Sequence, residues 1–338
     1  MTTELLYKLL AIMAAVALGW LAAQRGWLGP LGGRSDPAQS GGSDPAQPSG
    51  SDPALVLSNL AFYLFVPARL FRTLVRQDLS ALPWHTLGAY FVPAVLYTLA
   101  VYTWQRRQPG HAAAAPATRS VAAVYGNAVQ LGIPMATALF GEAGLALHIA
   151  LVSVHGLVLL TLLTVLVEAD LARHDHSVTR WATLRTTAHN TVVHPVVLPV
   201  LLGLLWNFTG LGLHPVADQT LQLLGSAVVP LCLVLIGVSL ATYGVRSGLR
   251  PAAGVSLLKL LVLPALVLVV AWAGFGLRGT ALGVVVMMAA LPVGNNALIF
   301  AQRYRTLQPE ATVAIVVSTV AFMGSAALWL VVLGALPH

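Results

Sequence analysis

Tyr125-Gly126-Asn127-Ala128-Val129-Gln130-Leu131-Gly132-Ile133-Pro134 decides the reading of this sequence, together with Leu291-Pro292-Val293-Gly294-Asn295-Asn296-Ala297 in its other half. Each stretch interrupts a long apolar run with glycine, proline and amide side chains, and Asn127 and Asn295 lie 168 residues apart. A helix broken in this way frees backbone N–H and C=O groups, which a bilayer tolerates only where protein buries them or water reaches them. Paired interruptions at corresponding places in two halves mark a carrier whose substrate site lies near the bilayer midplane. The simpler reading makes each break a kink whose amides bond to neighbouring backbone; two breaks in register favour a site. The substrate-binding residues expected are therefore Gly126, Asn127, Gln130, Gly132 and Pro134 from the first break, with Pro292, Gly294, Asn295 and Asn296 from the second.

Outward from the breaks, the composition fits a membrane protein. Of 338 residues, 57% are hydrophobic and only 9% charged, whereas soluble domains carry about a quarter charged residues. The net charge of +7 does not point to nucleic acid, because the cations sit in short connectors between apolar runs. Lone Cys232 excludes an internal disulfide and any cysteine metal motif. His189 and His194 lack carboxylate or cysteine companions, so neither metal nor cofactor is expected.

Apolar runs near 20 residues, the length that crosses a bilayer, predict an all-α polytopic protein of ten spans. They fall near 5–23, 55–74, 84–104, 117–140, 143–167, 187–207, 216–241, 251–274, 279–302 and 310–334. The first has some features of a signal peptide, with Lys8, an apolar core and Ala22-Ala23; its counterpart Val196 to Trp206 in the second half argues for a retained span. Connectors after odd-numbered spans hold Arg25, Arg34, Arg106, Arg107, Arg119, Arg173, Arg180, Arg185, Arg246, Arg250, Arg303 and Arg305. The opposite side has Lys8, Arg69, Arg72, Arg76 and Arg278. The positive-inside rule then places both termini on the non-cytoplasmic side of a bacterial inner membrane. Residues 32–54 repeat Ser-Asp-Pro-Ala with nothing apolar larger than alanine or proline, a composition unable to pack a core. They read as a flexible cytoplasmic linker.

The halves look like copies. Phe65-Val66-Pro67 matches Val228-Val229-Pro230, and Phe91-Val92-Pro93-Ala94 matches Val262-Leu263-Pro264-Ala265, at offsets close to that of the broken spans. Because each copy holds an odd number of spans, the second enters from the opposite face, as inverted repeats do. The division expected is residues 1–170 as the first repeat, 171–186 as a cytoplasmic connector and 187–338 as the second repeat. The breaks stand eight residues from Arg119 and Arg303, roughly 12 Å of helix, near mid-membrane depth.

At these same residues the chain resembles the auxin efflux carrier family, in particular bacterial members assigned as malonate or malate permeases. The resemblance rests on Phe65-Val66-Pro67-Ala68 with Leu70-Phe71-Arg72-Thr73, Gly126-Asn127 with Leu131-Gly132-Ile133-Pro134, and Leu139-Phe140-Gly141. It continues through Pro195 to Pro199, Lys259-Leu260, Ala290-Leu291-Pro292, Gly294, Asn296-Ala297 and Ala301-Gln302-Arg303-Tyr304. It implies two inverted five-span repeats whose fourth and ninth spans cross at their breaks, a carboxylate substrate and a homodimer. The linker of residues 32–54 departs from the pattern as an insertion. Arg69 departs as a cation where an apolar residue is expected.

No Asp or Glu falls in mid-span, since Glu142, Glu168, Asp218 and Glu310 all lie near span ends. A sodium site built on a buried carboxylate is therefore not expected. Lys259 and His155 are the candidates for charge pairing or for carrying a coupling proton, because ionisable groups within a membrane mark functional pathways and histidine titrates near neutrality. Their ordinary alternatives are a lysine that snorkels to the interface and a hydrogen-bonded packing histidine. Arg69, beside Arg72 and Arg76, reads as a snorkelling cation. The expected function is a secondary transporter or facilitator, embedded in lipid, that moves a small organic anion. An anion channel and a sodium-coupled symporter are the alternatives. No enzyme is expected, because the buried set offers no nucleophile with an acid–base partner.

Overall fold

The computed structural model describes residues 3–28, 53–78, 82–129, 131–174, 185, 189, 192–243 and 248–336. Gln130, Arg34, Arg180, Arg246, nearly all of the 32–54 linker and most of the 171–186 connector lie outside the described residues. Within them all regular structure is helical, apart from one isolated β-bridge. Six helical stretches are long and apolar enough to cross a membrane: Ala54–Val75, Trp84–Arg106, Met135–Arg173, Pro215–Thr242, Leu249–Gly274 and Gln308–Gly334. Leu10–Gln24, Val197–Phe208 and Gly279–Ala290 are shorter apolar helices.

Part of the difference from the ten expected spans, at the fourth and ninth, has a physical origin. The breaks divide the expected fourth and ninth spans into pieces. These are Ala115–Val124 and the start of Gly132–His155, then Gly279–Ala290 and Asn296–Arg303. A piece of eight to twelve residues is about 12–18 Å long, too short to cross alone. The helix Gly132–His155 contains a non-helical turn at Gly141, with φ 62° and ψ −159°. That backbone is open to glycine and costly for other residues. Gly141 thus separates the second piece of the fourth run from the fifth.

Prolines explain the π-turns on two helices. Pro67 and Pro264 each lack an N–H and their rings crowd the carbonyl four residues earlier. The chain winds wide just before them, at Ala61–Phe65 and at Leu258–Val262. The second π-turn carries Lys259.

Helix Thr3–Gln24 lies directly on helix Pro215–Tyr243. A Cβ added at Gly19 would collide with the Val234 backbone, and one at Gly237 with the Val16 carbonyl. Backbone touches backbone there, the small-residue packing that holds helices together in lipid. The half-helices are treated differently. Every residue from Leu282 to Ala290 is buried, and so is every residue from Ala115 to Val124 except Arg119. A helix apolar on all faces belongs inside the protein, so broken backbone here is shielded from lipid. Arg119 is held by Glu310 at 2.7 and 2.9 Å and by Gln105 at 3.0 Å.

Candidate functional site

The two breaks meet. Gly126 and Val293 form an antiparallel bridge, closed by the Asn127 N–H donating to the Pro292 carbonyl and the Gly294 N–H donating to the Tyr125 carbonyl, both at 2.8 Å. A Cβ at Gly294 would stand 2.7 Å from the Gly126 oxygen, so this approach requires glycine. The Val293 N–H donates to the Ser318 hydroxyl at 3.0 Å, and His148 Nε2 donates to the Ala128 carbonyl at 2.8 Å. These bonds pair part of the unwound backbone with the protein itself, as irregular backbone within a membrane requires. Helices Ala115–Val124 and Gly279–Ala290 end at this crossing, while Gly132–His155 and Asn296–Arg303 begin there.

Beside the crossing is a cavity of about 130 Å³. One wall is the crossing itself, with Gly126, Asn127, Gly294, Asn295 and Asn296; His155 and Ser153 supply another, and Arg69 and Thr73 a third. The Asn295 Oδ1 is buried without a hydrogen-bond partner among the described residues, an unusual state for a buried acceptor. No carboxylate of the described residues lines the space.

A sequence profile of the family described as Membrane transport protein matches residues 49–330. The chain belongs to that family. It is the family to which the auxin efflux carrier resemblance pointed, and the transporter's first helix precedes the matched region. An "Uncharacterized transporter" of Methanothermobacter thermautotrophicus (strain ATCC 29096 / DSM 1053 / JCM 10044 / NBRC 100330 / Delta H) is 26% identical over 282 residues, covering 83% of this chain and 89% of its own. This is an integral membrane transporter family, not an enzymatic one.

The transporter's other expected residues divide. Gly132 and Pro134 lie in the first turn of the helix leaving the crossing, and the Gly132 N–H donates to the Asn127 carbonyl at 3.2 Å. Pro292 contributes its carbonyl to the bridge and is not on the cavity wall. His155 is on the wall, bonded through Nε2 to the Tyr90 hydroxyl at 3.2 Å and stacked on Tyr125 with ring centroids 4.2 Å apart. Lys259 is fully buried and stands behind the crossing, where its ammonium donates to the Ala289 carbonyl. A cation at the end of helix Gly279–Ala290 complements the negative pole of that helix and offsets part of its own desolvation.

Arg69 was read from sequence as a snorkelling side chain, yet it lines the cavity. The signal lay in helical spacing, for Val66, Arg69, Leu70 and Thr73 share one face at i, i+3, i+4 and i+7, and that face is the cavity wall. Arg72 and Arg76 turn instead to Asp218, at 2.8 and 2.9 Å.

Proposed function

We propose that this transporter carries a small organic anion, a carboxylate, by alternating access at the crossing of its two broken segments. The chain is read as ten spans in two inverted five-span repeats, residues 1–170 and 187–338, joined by a cytoplasmic connector and with both termini outside. The observation that carries the reading is the crossing itself. Two unwound segments from the two halves bridge each other beside a cavity that, among the described residues, is lined by three asparagines and one arginine and by no carboxylate.

The chemistry favours an anion. Helix N-termini carry partial positive charge, and the amides of Asn127, Asn295 and Asn296 supply donors. Each carboxylate of the membrane ends that touches a described cation is already committed, Asp218 to Arg72 and Arg76, Glu310 to Arg119, Asp170 to Arg106 and Arg173. Lys259 places its amine at the carbonyl end of a half-helix, where a sodium-coupled carrier would place a mobile ion; this supports transport without sodium. An inside-negative potential drives an anion outward by about 2.3 kcal/mol per charge per 100 mV, so export needs no coupled ion, while uptake needs protons, carried by His155 or Lys259, or sodium. The working assembly in this reading is a homodimer.

The test is thermal stability of the purified protein against acetate, malonate and succinate, with and without sodium and at two pH values. Binding to the native state raises apparent stability by mass action. A saturable shift with one acid, indifferent to sodium, is the expected result. No shift with any carboxylate under any condition overturns the anion reading.

A further inference from the structure

We propose that Arg69 is the cation that pairs with the substrate's carboxylate, and so sets the site's preference for a charged acid over its neutral analogue. This rests on the carboxylate reading above and adds a contact that the crossing cannot supply.

The geometry isolates Arg69 among the basic residues of its helix. Arg72 donates to both oxygens of Asp218 at 2.8 and 3.1 Å and to Gln222 at 3.1 Å, and Arg76 reaches Asp218 at 2.9 Å. Arg69 lies on the other face, along the cavity. Its guanidinium has no carboxylate partner and no side-chain hydrogen bond among the described residues. A Cβ added at Gly225 would lie 3.2 Å from the Arg69 Cα, so helix Pro215–Tyr243 packs directly against the Arg69 backbone.

The Asn127, Asn295 and Asn296 residues line the same cavity, and no described carboxylate does. A cation partly withdrawn from water without a counter-charge is costly, and an anion entering such a space is attracted more strongly than in bulk solvent. Guanidinium is planar and presents paired N–H groups that match the two oxygens of a carboxylate. The Coulomb partner for a carboxylate is therefore Arg69, while the amides and half-helix N-termini at the crossing hydrogen-bond the remaining oxygens.

Arg69 is carried by a different helix from the crossing. Helix Val66–Val75 packs on Val197–Phe208 and Pro215–Tyr243, while Asn296–Arg303 packs on Ala115–Val124, on Gln308–Gly334 and on Pro53–Leu60, the start of the helical stretch that carries Arg69. A carboxylate held by Arg69 and by the amides would therefore join two separate helices.

Binding of acetate, malonate and succinate, and of acetamide, malonamide and succinamide, is measured by thermal shift on wild type, Arg69→Gln, Arg69→Lys and Arg76→Gln. Wild type is expected to bind at least one acid and to prefer it to its amide. Arg69→Gln is expected to lose about ten- to a hundredfold in affinity for that acid, the usual weight of a hydrogen bond to a charged group, and to lose the preference over the amide. Arg69→Lys, which keeps the charge without the fork, is expected to recover part of the preference, and Arg76→Gln to keep all of it. If wild type binds an acid and Arg69→Gln binds it equally well with the same preference, the assignment of Arg69 falls while the carboxylate reading stands. Equal losses in Arg69→Gln and Arg76→Gln would show a diffuse positive field and overturn the assignment too. If wild type binds none of the acids, both readings fall together.

Discussion

Asn127 and Asn295 do different work at the crossing, and their variants separate it. Asn127 is tied in through its backbone, donating to Pro292 and accepting from Gly132. Asn295 starts the helix Asn296–Arg303 by accepting from Leu298 and Ile299 N–H groups, yet its side-chain oxygen has no partner among the described residues. None of these backbone bonds needs the side chain, so Asn127→Ala and Asn295→Ala should stay folded while each weakens carboxylate binding at least tenfold, or about 1.4 kcal/mol, in the thermal-shift titration. Wild-type affinity in both would remove the crossing from the substrate path. Asn295→Ala also deletes a buried orphan acceptor, whose desolvation costs about 1–3 kcal/mol. The ligand-free melting temperature of that variant should therefore be no lower than wild type. The asparagines were legible in the sequence because amides inside an apolar run stand out. Arg69 was misjudged because depth was counted along one span, and depth does not say that Val228 and Val229 would close the same cavity from a neighbouring helix.

At the scale of elements, the breaks were legible and their mutual contact was only inferred. Glycine and proline declare an interruption locally, whereas the pairing of Gly126 with Val293 depends on how distant helices pack. The π-turns ahead of Pro67 and Pro264 went unread, because proline predicts a disturbed helix without saying how the disturbance is absorbed. Gly294→Ala tests the crossing as a unit. With its Cβ only 2.7 Å from the Gly126 oxygen, the variant must separate the two segments. It should lower the melting temperature and abolish carboxylate stabilisation together. A second set of contacts joins elements at the arginine-rich end. Tyr304 donates to Glu168 at 3.1 Å and is bonded to His194 Nε2 at 2.9 Å, while Arg303 stacks over Phe62 and Tyr63. Tyr304→Phe removes the shared hydroxyl and leaves His194 and Glu168 each one partner short, a loss of about 1–3 kcal/mol for buried groups. Because His194 stands just before helix Val197–Phe208 and Glu168 lies on helix Thr161–His174, the variant loosens a junction of separate elements and should lower the melting temperature.

For the whole molecule, the arrangement of charge and cavity makes a directional claim. Arg72, Arg76, Asp218 and Thr73 belong to one end, and the Arg119–Glu310, Arg106–Asp170 and Tyr304–Glu168 contacts to the other. The cavity wall reaches Thr73 at the first end, while the Tyr304 and Arg303 contacts close the second. In the orientation proposed above, from the excess of arginine in its connectors, the second end is the cytoplasmic one. In that proposed orientation the cavity would face outward, and an anion leaving the cell would meet a barrier at Tyr304 before reaching the crossing. Single-cysteine variants check this in a Cys232→Ala background, Cys232 being the chain's lone cysteine and buried. A membrane-impermeant maleimide applied to intact cells should label Thr73→Cys and should not label Arg305→Cys, which lies on an exposed turn at the other end. In inside-out vesicles the pattern should reverse for Arg305→Cys. A bound carboxylate should slow modification of Thr73→Cys, because the acid and the reagent enter the same cavity. Labelling of Arg305→Cys from outside would invert the orientation, and with it the side from which Arg69 first meets the substrate.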